Sequence, residues 1–237
     1  MTHREVIWHD VENGSYAADL GLWRELAAHA DGPILDLGAG TGRVARDLHA
    51  AGHEVHALDS EPGLLAALRE RAPAVTTINA DARTFAVAER FALILAPMQL
   101  VQILGGPEAR RAMLERVHAH LLPGGRFAAA IANPYDALAE EDRSPPYPDM
   151  IEHGGWVYSS QPVMVREQGG QVVVERRRQA VAPDGTLDEQ TAPFALDVID
   201  PGELEEEARA AGLVPVARHQ IPETDDHIGS VVIECRR

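Results

Sequence analysis

The sequence of 237 residues contains little cysteine, few aromatic residues and little positive charge. A single cysteine, Cys235, cannot form an internal disulfide, which fits a reducing cytoplasm. The cysteine and histidine spacing of zinc sites is absent, so no metal site is predicted. No run approaches the roughly 18 apolar residues that a membrane-spanning helix needs, and no apolar segment follows the N-terminus as in a secretory signal. We therefore expect a cytoplasmic protein that does not enter a membrane.

The charge balance is strongly acidic and restricts the partners that the protein can bind. Lys and Arg total 21 against 37 Asp and Glu, which gives a net charge of −16. Proteins that bind nucleic acid rely on basic surface to displace counterions from phosphates, so a DNA or RNA partner is not expected. The dense basic run Arg176–Arg178 lies in a strand-like segment, where we interpret it as a solvated strand face.

Short apolar strands alternate with helices from Gly32 to Pro134, which predicts a parallel sheet covered on both faces. The predicted strands run over residues 33–37, 53–58, 75–79, 91–96 and 127–132. Residues 134–150 contain four prolines and are predicted to be a loop. Three strand-like runs then follow, over residues 156–166, 171–182 and 186–196, and their glycine-containing turns indicate an antiparallel meander. A helix from about Pro201 to Ala211 and two further strands end the chain.

The segment from Ile34 to Arg43 carries the sharpest signal in the sequence. An apolar strand leads into Gly38-Ala39-Gly40-Thr41-Gly42, and a helix follows. Because the glycines at alternate positions have no side chains, a ligand can approach the backbone of the loop and the free N–H groups at the start of the helix. The dinucleotide pattern of glycines requires a small residue where Arg43 stands, which disfavours a nicotinamide cofactor. Asp59 ends the second strand, 19 residues after Gly40, in position to bind a ribose.

These motifs, taken in order, resemble those of class I S-adenosylmethionine-dependent methyltransferases. The resemblance rests on residues 35–42, Asp59, residues 80–82 and residues 121–126. It implies an α/β, doubly wound, Rossmann-like sheet of seven strands in the order 3-2-1-4-5-7-6, with the last strand antiparallel and the β meander inserted. It also implies a single domain with four parts: lid helices over 1–30, a cofactor-binding core over 31–133, the meander over 150–197 and the closing elements over 198–237.

The resemblance also assigns roles to individual residues around S-adenosylmethionine. Asp36 and the backbone of the glycine loop would hold the methionine end, Asp59 the ribose hydroxyls and Asp81 the adenine amine. A tyrosine in the lid, Tyr16, would hydrogen-bond the cofactor carboxylate. The expected cofactor-binding set is therefore Asp36, Gly38, Ala39, Gly40, Gly42, Asp59, Ser60, Asp81, Ala82, Met98 and Tyr16.

The acceptor of the methyl group is less well defined by the sequence. A hydroxyl acceptor gains from a general base, whereas a neutral amine needs none before it attacks. The candidates for a base are His227 and Asp226, in the loop between the last two strands, and His9 in the lid. If the last strand is antiparallel, that loop lies on the cofactor side of the sheet. We expect these segments to enclose a small substrate beside Met98.

Several alternatives stay open at this point. The main interpretation is methyl transfer to a nitrogen or oxygen of a small molecule. A protein acceptor, a dehydrogenase that uses a nicotinamide dinucleotide on a similar fold, and a non-catalytic module that keeps the cofactor pocket are the competing hypotheses. The exposed edge of the meander makes a homodimer possible.

Overall fold

A computed structural model of the chain describes residues 3–137, 147–224 and 227–237. The main sheet contains seven strands in the order β3-β2-β1-β4-β5-β11-β10. Its last strand along the chain, β11, runs antiparallel to both of its neighbours, and the other pairs in the sheet are parallel. The expected fold class, strand order and antiparallel last strand are therefore confirmed. The strands of this sheet are β1 (Ile34–Leu37), β2 (Val55–Asp59), β3 (Thr76–Asn79), β4 (Phe91–Ala96), β5 (Leu121–Ile131), β10 (Val214–Ile221) and β11 (Ser230–Arg236).

Six α-helices and two short 3₁₀ helices accompany the two sheets in the described ranges. The helices are α1 (His3–Asn13), α2 (Leu20–Ala28), α3 (Arg43–Ala50), α4 (Pro62–Arg71), α5 (Pro107–His120) and α6 (Pro201–Ala210), and the 3₁₀ helices span Leu100–Gln102 and Pro134–Ala137. The start of α6 shows a full capping box, in which the Asp200 carboxylate accepts from the Glu203 backbone and the Glu203 side chain accepts in return.

Two apolar cores lie on opposite faces of the seven-stranded sheet. One contains buried side chains of α5 and α6 with Leu35 and Leu37 of β1. The other contains side chains of α2, α3 and α4 with Ile34 of the same strand. Because β1 is buried on both faces, its sequence Ile-Leu-Asp-Leu is almost wholly apolar. Asp36 is the one charged side chain in that strand, so its burial calls for an explanation.

The inserted sheet has four antiparallel strands where the sequence predicted three. They are β6 (Asp149–His153), β7 (Trp156–Gln168), β8 (Gln171–Val181) and β9 (Leu187–Asp197), in that spatial order. The expectation of a loop up to residue 150 was wrong at its end, because β6 begins at Asp149. This short edge strand of mixed polarity follows a proline-rich segment and has no alternating pattern, so no local pattern indicates it.

The basic run in β8 does not form the solvated face that the sequence suggested. Because successive side chains of a strand point to opposite faces, Arg176 and Arg178 lie on the face of the inserted sheet that packs against α1. Of the three arginines, only Arg177 is exposed. Arg178 donates two hydrogen bonds to Glu12 of α1, at 2.7 and 2.6 Å. Two of the three arginines therefore join the first helix to the inserted sheet.

Asp197 joins the inserted sheet to the main body. Its carboxylate accepts from the Gly106 backbone at 2.6 Å, from Arg110 at 2.8 Å and from Gln171 at 2.7 Å. The side chain of Gln102, fully buried, donates to the carbonyl of Asp197 and exchanges two bonds with the backbone of Ala132. The buried side chains of Asp197 and Gln102 form most of the hydrogen bonds that they can form. These bonds hold β9 in a defined position at the end of β5.

Candidate active site

The glycine loop lies at the carboxyl edge of the main sheet, directly after β1. Gly38, Gly40 and Gly42 have φ values of 65°, 57° and 86°, in the left-handed region that favours glycine. A Cβ added at Gly38 would lie 2.8 Å from Leu100 Cδ1, and one at Gly42 would lie 2.3 Å from Leu68 Cδ1. The loop therefore requires glycine both for its conformation and for its packing.

Helix α1 covers this loop from the outside. A Cβ added at Gly40 would lie 2.3 Å from Nε2 of His9, so the imidazole rests against the glycine backbone. Burial lowers the pKa of His9. The neighbouring Thr41 hydroxyl donates to the Asp10 carboxylate at 2.7 Å, and Arg71 of α4 also pairs with Asp10. The structure thus places His9 against the predicted cofactor loop.

Asp59 connects the glycine loop with the start of α4. One carboxylate oxygen accepts from the Gly40 backbone N–H at 2.8 Å, and the other accepts from the Glu61 N–H at 2.8 Å. The Asp59 carbonyl also accepts from Ala80 at 3.1 Å, which brings the end of β3 beside the end of β2. The sequence predicted that Asp59 and Gly40 serve one ligand, and the structure shows that they are in direct contact.

Asp36 is a buried carboxylate with an unpaired oxygen. Its Oδ2 accepts from the Ala45 backbone at 3.1 Å, whereas its Oδ1 has no hydrogen-bond partner within the described residues. Burial raises the pKa of Asp36 to about 7, although Arg43 acts in the opposite direction. A buried acceptor without a donor is costly, and it is the kind of group that a cationic ligand would satisfy.

The variant Asp36→Asn should change how stability depends on pH. With a folded-state pKa of about 7 against an ordinary value of 3.8, the folded chain retains a proton that the unfolded chain has lost. Wild-type stability should therefore fall as pH rises through this window, by up to about 1.4 kcal/mol per pH unit, and the asparagine variant should lack that slope. Urea unfolding at several pH values measures it. The exposed Asp31→Asn is the control, and parallel pH curves for Asp36→Asn and wild type would contradict the prediction.

The remaining predicted cofactor residues lie around the same edge. Asp81 accepts hydrogen bonds from the Arg83 guanidinium and backbone, and the Arg83 hydrogen bond lowers the pKa of Asp81. Ala82 is buried and Ser60 is exposed. Met98 follows β4 with a φ of 54°, and it is the one non-glycine residue in the described ranges with a positive φ. Such strained backbone conformations concentrate at functional sites.

Tyr16 and His227 stack on one another at the same edge of the sheet. Their ring centroids are 4.7 Å apart, and the Arg43 guanidinium lies on Tyr16 at 5.1 Å from the ring centroid. Burial raises the pKa of Tyr16, and its hydroxyl forms a hydrogen bond with Ser230. The hydroxyl is thus directed to β11 in this structure, and contact with a cofactor carboxylate stays a prediction.

The loop between β10 and β11 lies on the cofactor side, as expected from the antiparallel last strand. Val231 pairs with Ile131 at the carboxyl end of β5, so the loop that precedes β11 projects from that edge. Met98 packs against the apolar cluster that contains Tyr16. Asp226 lies outside the described residues. The structure therefore brings Tyr16 and His227 into contact, and a role for His227 or Met98 on the acceptor side stays a prediction.

Sequence reasoning did not find a set of charged residues beside this site. Glu12, Asp149 and Arg176 meet between α1 and the inserted sheet, where the hydroxyl of Ser160 hydrogen-bonds Glu12 and Arg176. The alternate spacing of Arg176 and Arg178 was the available signal, since it places both on one face of a strand. Their acidic partners come from distant parts of the chain and had no such signal.

Comparison with known proteins identifies the part of the chain around the glycine loop. Residues 34–125 match a family described as a methyltransferase domain. The match begins at β1 and includes the glycine loop, Asp59 and Asp81. Residues 34–125 are a methyltransferase domain. This finding confirms the class I methyltransferase resemblance and does not support a nicotinamide-dependent dehydrogenase.

One curated relative and several solved structures extend the comparison beyond the methyltransferase domain. A dTDP-3-amino-3,6-dideoxy-alpha-D-glucopyranose N,N-dimethyltransferase of Streptomyces fradiae is 31% identical over 109 residues, which span 46% of this chain and 43% of that relative. A sugar N-methyltransferase of Streptoalloteichus sp. has a TM-score of 0.78 at 17% identity, with 100% of this chain and 93% of that chain covered. An amino pentose methyltransferase of Micromonospora echinaspora, solved with S-adenosylmethionine bound, has a TM-score of 0.72 at 22% identity, with 100% and 98% covered. At these identities the solved structures show a shared fold.

The residues of the methyltransferase domain fit S-adenosylmethionine, the cofactor of this family. The unpaired Oδ1 of Asp36 is a buried acceptor suited to the ammonium group of an amino acid, and the glycine loop follows that strand directly. Asp59 stands beside the loop, where a ribose would lie. Among the described residues, no three His, Cys, Asp or Glu side chains cluster as metal ligands.

Proposed function

We propose that this chain transfers a methyl group from S-adenosylmethionine to the nitrogen of a small-molecule acceptor, an amino sugar or a similar amine. The observation that carries the proposal is that two groups of residues lie at the same edge of the main sheet. One group is the glycine loop with Asp36 and Asp59, which fits the cofactor, and the other is the ring pair of Tyr16 and His227. The amino-sugar substrates named for the relatives support an amine acceptor.

The protein's own residues would contribute alignment, exclusion of water and the removal of a proton. The bound cofactor supplies an activated methyl group on a sulfonium, so the chain need not generate a strong electrophile. Asp36 and Asp59 would hold the two ends of the cofactor, and Met98 would line the path between donor and acceptor. Helix α1 closes the glycine loop from outside. Holding the two reactants in line would supply several kcal/mol of the barrier reduction.

His227 is our candidate for the group that accepts a proton from the acceptor. It lies on Tyr16 and is partly exposed, so a small molecule can reach it. His9 is a weaker candidate, because it rests against Gly40, where contact with the cofactor fits its position better. Asp226 is adjacent to His227 in sequence and stays a prediction.

The reaction is tested by incubating the chain with S-adenosylmethionine and dTDP-3-amino-3,6-dideoxy-α-D-glucopyranose, and measuring S-adenosylhomocysteine and methylated sugar. We expect His227→Asn to lower kcat by about 10²- to 10⁴-fold if it acts as a base. The control is His219→Asn, a partly exposed histidine of β10 that pairs with Glu234. An unchanged rate across pH would remove His227 as the base, and no turnover with any amine would contradict the proposed reaction.

We infer one catalytic unit, with residues 1–30 as a lid, 31–133 as the cofactor-binding core, 150–197 as the inserted sheet and 198–237 as the closing part. A cytoplasmic location fits, and the described part of the chain has no helix long and apolar enough to cross a membrane. No nucleic acid is expected at so acidic a surface.

A homodimer remains our proposal for the assembly. On the outer face of the inserted sheet, Val157, Val181 and Leu187 are neighbours in register on three adjacent strands, and all three are exposed. An apolar row on an exposed sheet face is a reasonable contact for a second copy. Sedimentation velocity measures the state of assembly, and a monomer at high concentration would contradict the proposal.

A further inference from the structure

Arg43 follows the glycine loop, and its side chain has no role yet in the proposed reaction. It is the first residue of α3 and comes directly after Gly42, so the conformation of the loop sets where its side chain begins. The same helix is held to β1, because the backbone N–H of Ala45 donates to Asp36 at 3.1 Å. Arg43 is therefore fixed relative to the residues that are expected to bind the methionine end of the cofactor.

The guanidinium of Arg43 forms an ion pair with Asp19, the residue that precedes α2. Its Nη1 donates to Oδ1 at 2.5 Å, and its Nη2 donates to Oδ2 at 2.7 Å. The side chain of Arg43 is 11% exposed and that of Asp19 is 1% exposed. The indole N–H of Trp23 also donates to Asp19, at 2.7 Å. Two parallel bonds of this kind define the orientation of both side chains, whereas a buried ion pair often adds little net stability.

Arg43 also contacts Tyr16 at two points. Its Nη1 donates to the carbonyl of Tyr16 at 2.9 Å, and its guanidinium carbon lies 5.1 Å from the centroid of the Tyr16 ring. Tyr16 lies between α1 and α2 and belongs to neither helix. Its position therefore depends on contacts such as these.

The ring of Tyr16 extends this series of contacts to His227. The two ring centroids are 4.7 Å apart, and the ring planes meet at 37°. His227 belongs to the loop between β10 and β11, where its backbone N–H donates to the Thr224 hydroxyl at 3.0 Å. A continuous series of contacts thus leads from the glycine loop through Arg43 and Tyr16 to His227.

We propose that Arg43 is a positioning residue, which fixes the Tyr16 ring and the stacked imidazole of His227 relative to the glycine loop. The inference rests on the proposed function and deepens it, because His227 is the proposed proton acceptor. Methyl transfer requires that donor and acceptor are aligned, and a misplacement of about 1 Å can lower the rate by about 100-fold. The arginine therefore joins the segment that holds the cofactor to the segment that receives the proton.

The first test is an NMR measurement on the purified chain, which needs no turnover. Arg43→Lys keeps a positive charge beside Asp19 but lacks the planar group that makes two parallel bonds. The signals of the His227 ring protons are assigned by their absence in His227→Asn. Because the Tyr16 ring shields the imidazole, we expect these signals to move downfield in Arg43→Lys, towards their position in Tyr16→Leu.

The second test measures methyl transfer to an amine, with dTDP-3-amino-3,6-dideoxy-α-D-glucopyranose as the first probe. We expect Arg43→Lys to lower kcat by about 10- to 100-fold, because the proton acceptor is misplaced. The KM for the acceptor should change little, since the substitution removes alignment and no contact with the acceptor. A role in folding alone would not produce this separation of kcat from KM.

Two further variants separate positioning from a structural role. Arg46→Lys makes the same exchange at an exposed arginine of the same helix and should change neither the His227 signals nor kcat. Arg43→Gln combined with Asp19→Asn removes both charges, so neither is left buried alone, and it should reproduce the downfield shift and the loss of kcat. Unfolding of both Arg43 variants, unshifted His227 signals or an unchanged kcat in Arg43→Lys overturns the proposal.

The two measurements distinguish this failure from failure of the proposed function. If the wild-type chain methylates no amine, the proposed function is contradicted, and a role of Arg43 in methyl transfer is lost with it. If methyl transfer occurs but neither the His227 signals nor kcat depend on Arg43, the proposed reaction stands and only the positioning role is lost.

Discussion

Replacing Asp59 with asparagine should weaken the binding of S-adenosylmethionine by about 100-fold. The two carboxylate oxygens of Asp59 accept hydrogen bonds from the backbone N–H groups of Gly40 and Glu61, each at 2.8 Å. An asparagine must direct its amide N–H₂ at one of these donors, so at least one contact becomes repulsive. The ribose hydroxyls would also lose a charged acceptor. Both effects weaken the binding of the cofactor and do not change the binding of the acceptor.

The measurement is calorimetric titration with S-adenosylmethionine and S-adenosylhomocysteine, supported by thermal unfolding to show that the variant is folded. Glu61→Gln is the matched control, since Glu61 is an exposed acid two residues away and contributes its backbone N–H, which the change retains. We expect that control to bind within about 2-fold of wild type. Wild-type affinity in Asp59→Asn would show that the ribose lies elsewhere.

Gly42→Ala should destabilise the folded chain by about 2 to 5 kcal/mol, and this is the largest effect on stability that we expect. A left-handed φ of 86° costs an alanine about 1–2 kcal/mol. In addition, the new Cβ would lie 2.3 Å from Cδ1 of Leu68, which is fully buried in the core between α4 and the sheet. Overpacking of this kind costs about 1–3 kcal/mol.

Gly52→Ala is the matched control, because Gly42 and Gly52 flank the same helix, α3. Gly52 has a φ of 95°, but a Cβ there meets no atom within 4 Å. The control thus carries the conformational cost without the steric one, and chemical unfolding of both variants measures the difference. We expect Gly42→Ala to be less stable than Gly52→Ala by about 1–3 kcal/mol. Equal losses would mean that Leu68 moves aside at no cost.

Local sequence was sufficient to predict the cofactor side because its signals lie close together along the chain. The glycines of the loop occupy alternate positions, and each requires a left-handed backbone that few other residues adopt. Asp59 follows its strand directly, and parallel strands bring their carboxyl ends to one edge. The contact between Asp59 and Gly40 therefore follows from strand order, without knowledge of distant packing.

The acceptor side was predicted only in part, for the opposite reason. His227 could be placed because the topology puts its loop at the cofactor edge. Asp149 stands in a short edge strand without alternation, and Glu12 stands 137 positions before it in sequence, as their residue numbers show. Nothing local indicates that such residues meet, since long-range charge pairs depend on how the inserted sheet docks on α1.

By itself, the sequence determined the class of fold, the strand order and the part of the chain that holds the cofactor, because short-range periodicity and glycine conformation are properties of neighbouring residues. Only the tertiary structure decided that Arg176 and Arg178 face α1, that an oxygen of Asp36 is buried without a donor, and that Asp149 pairs with Arg176. Those facts depend on burial and on contacts between distant segments, and such contacts exist only when both sheets and the first helix are packed together.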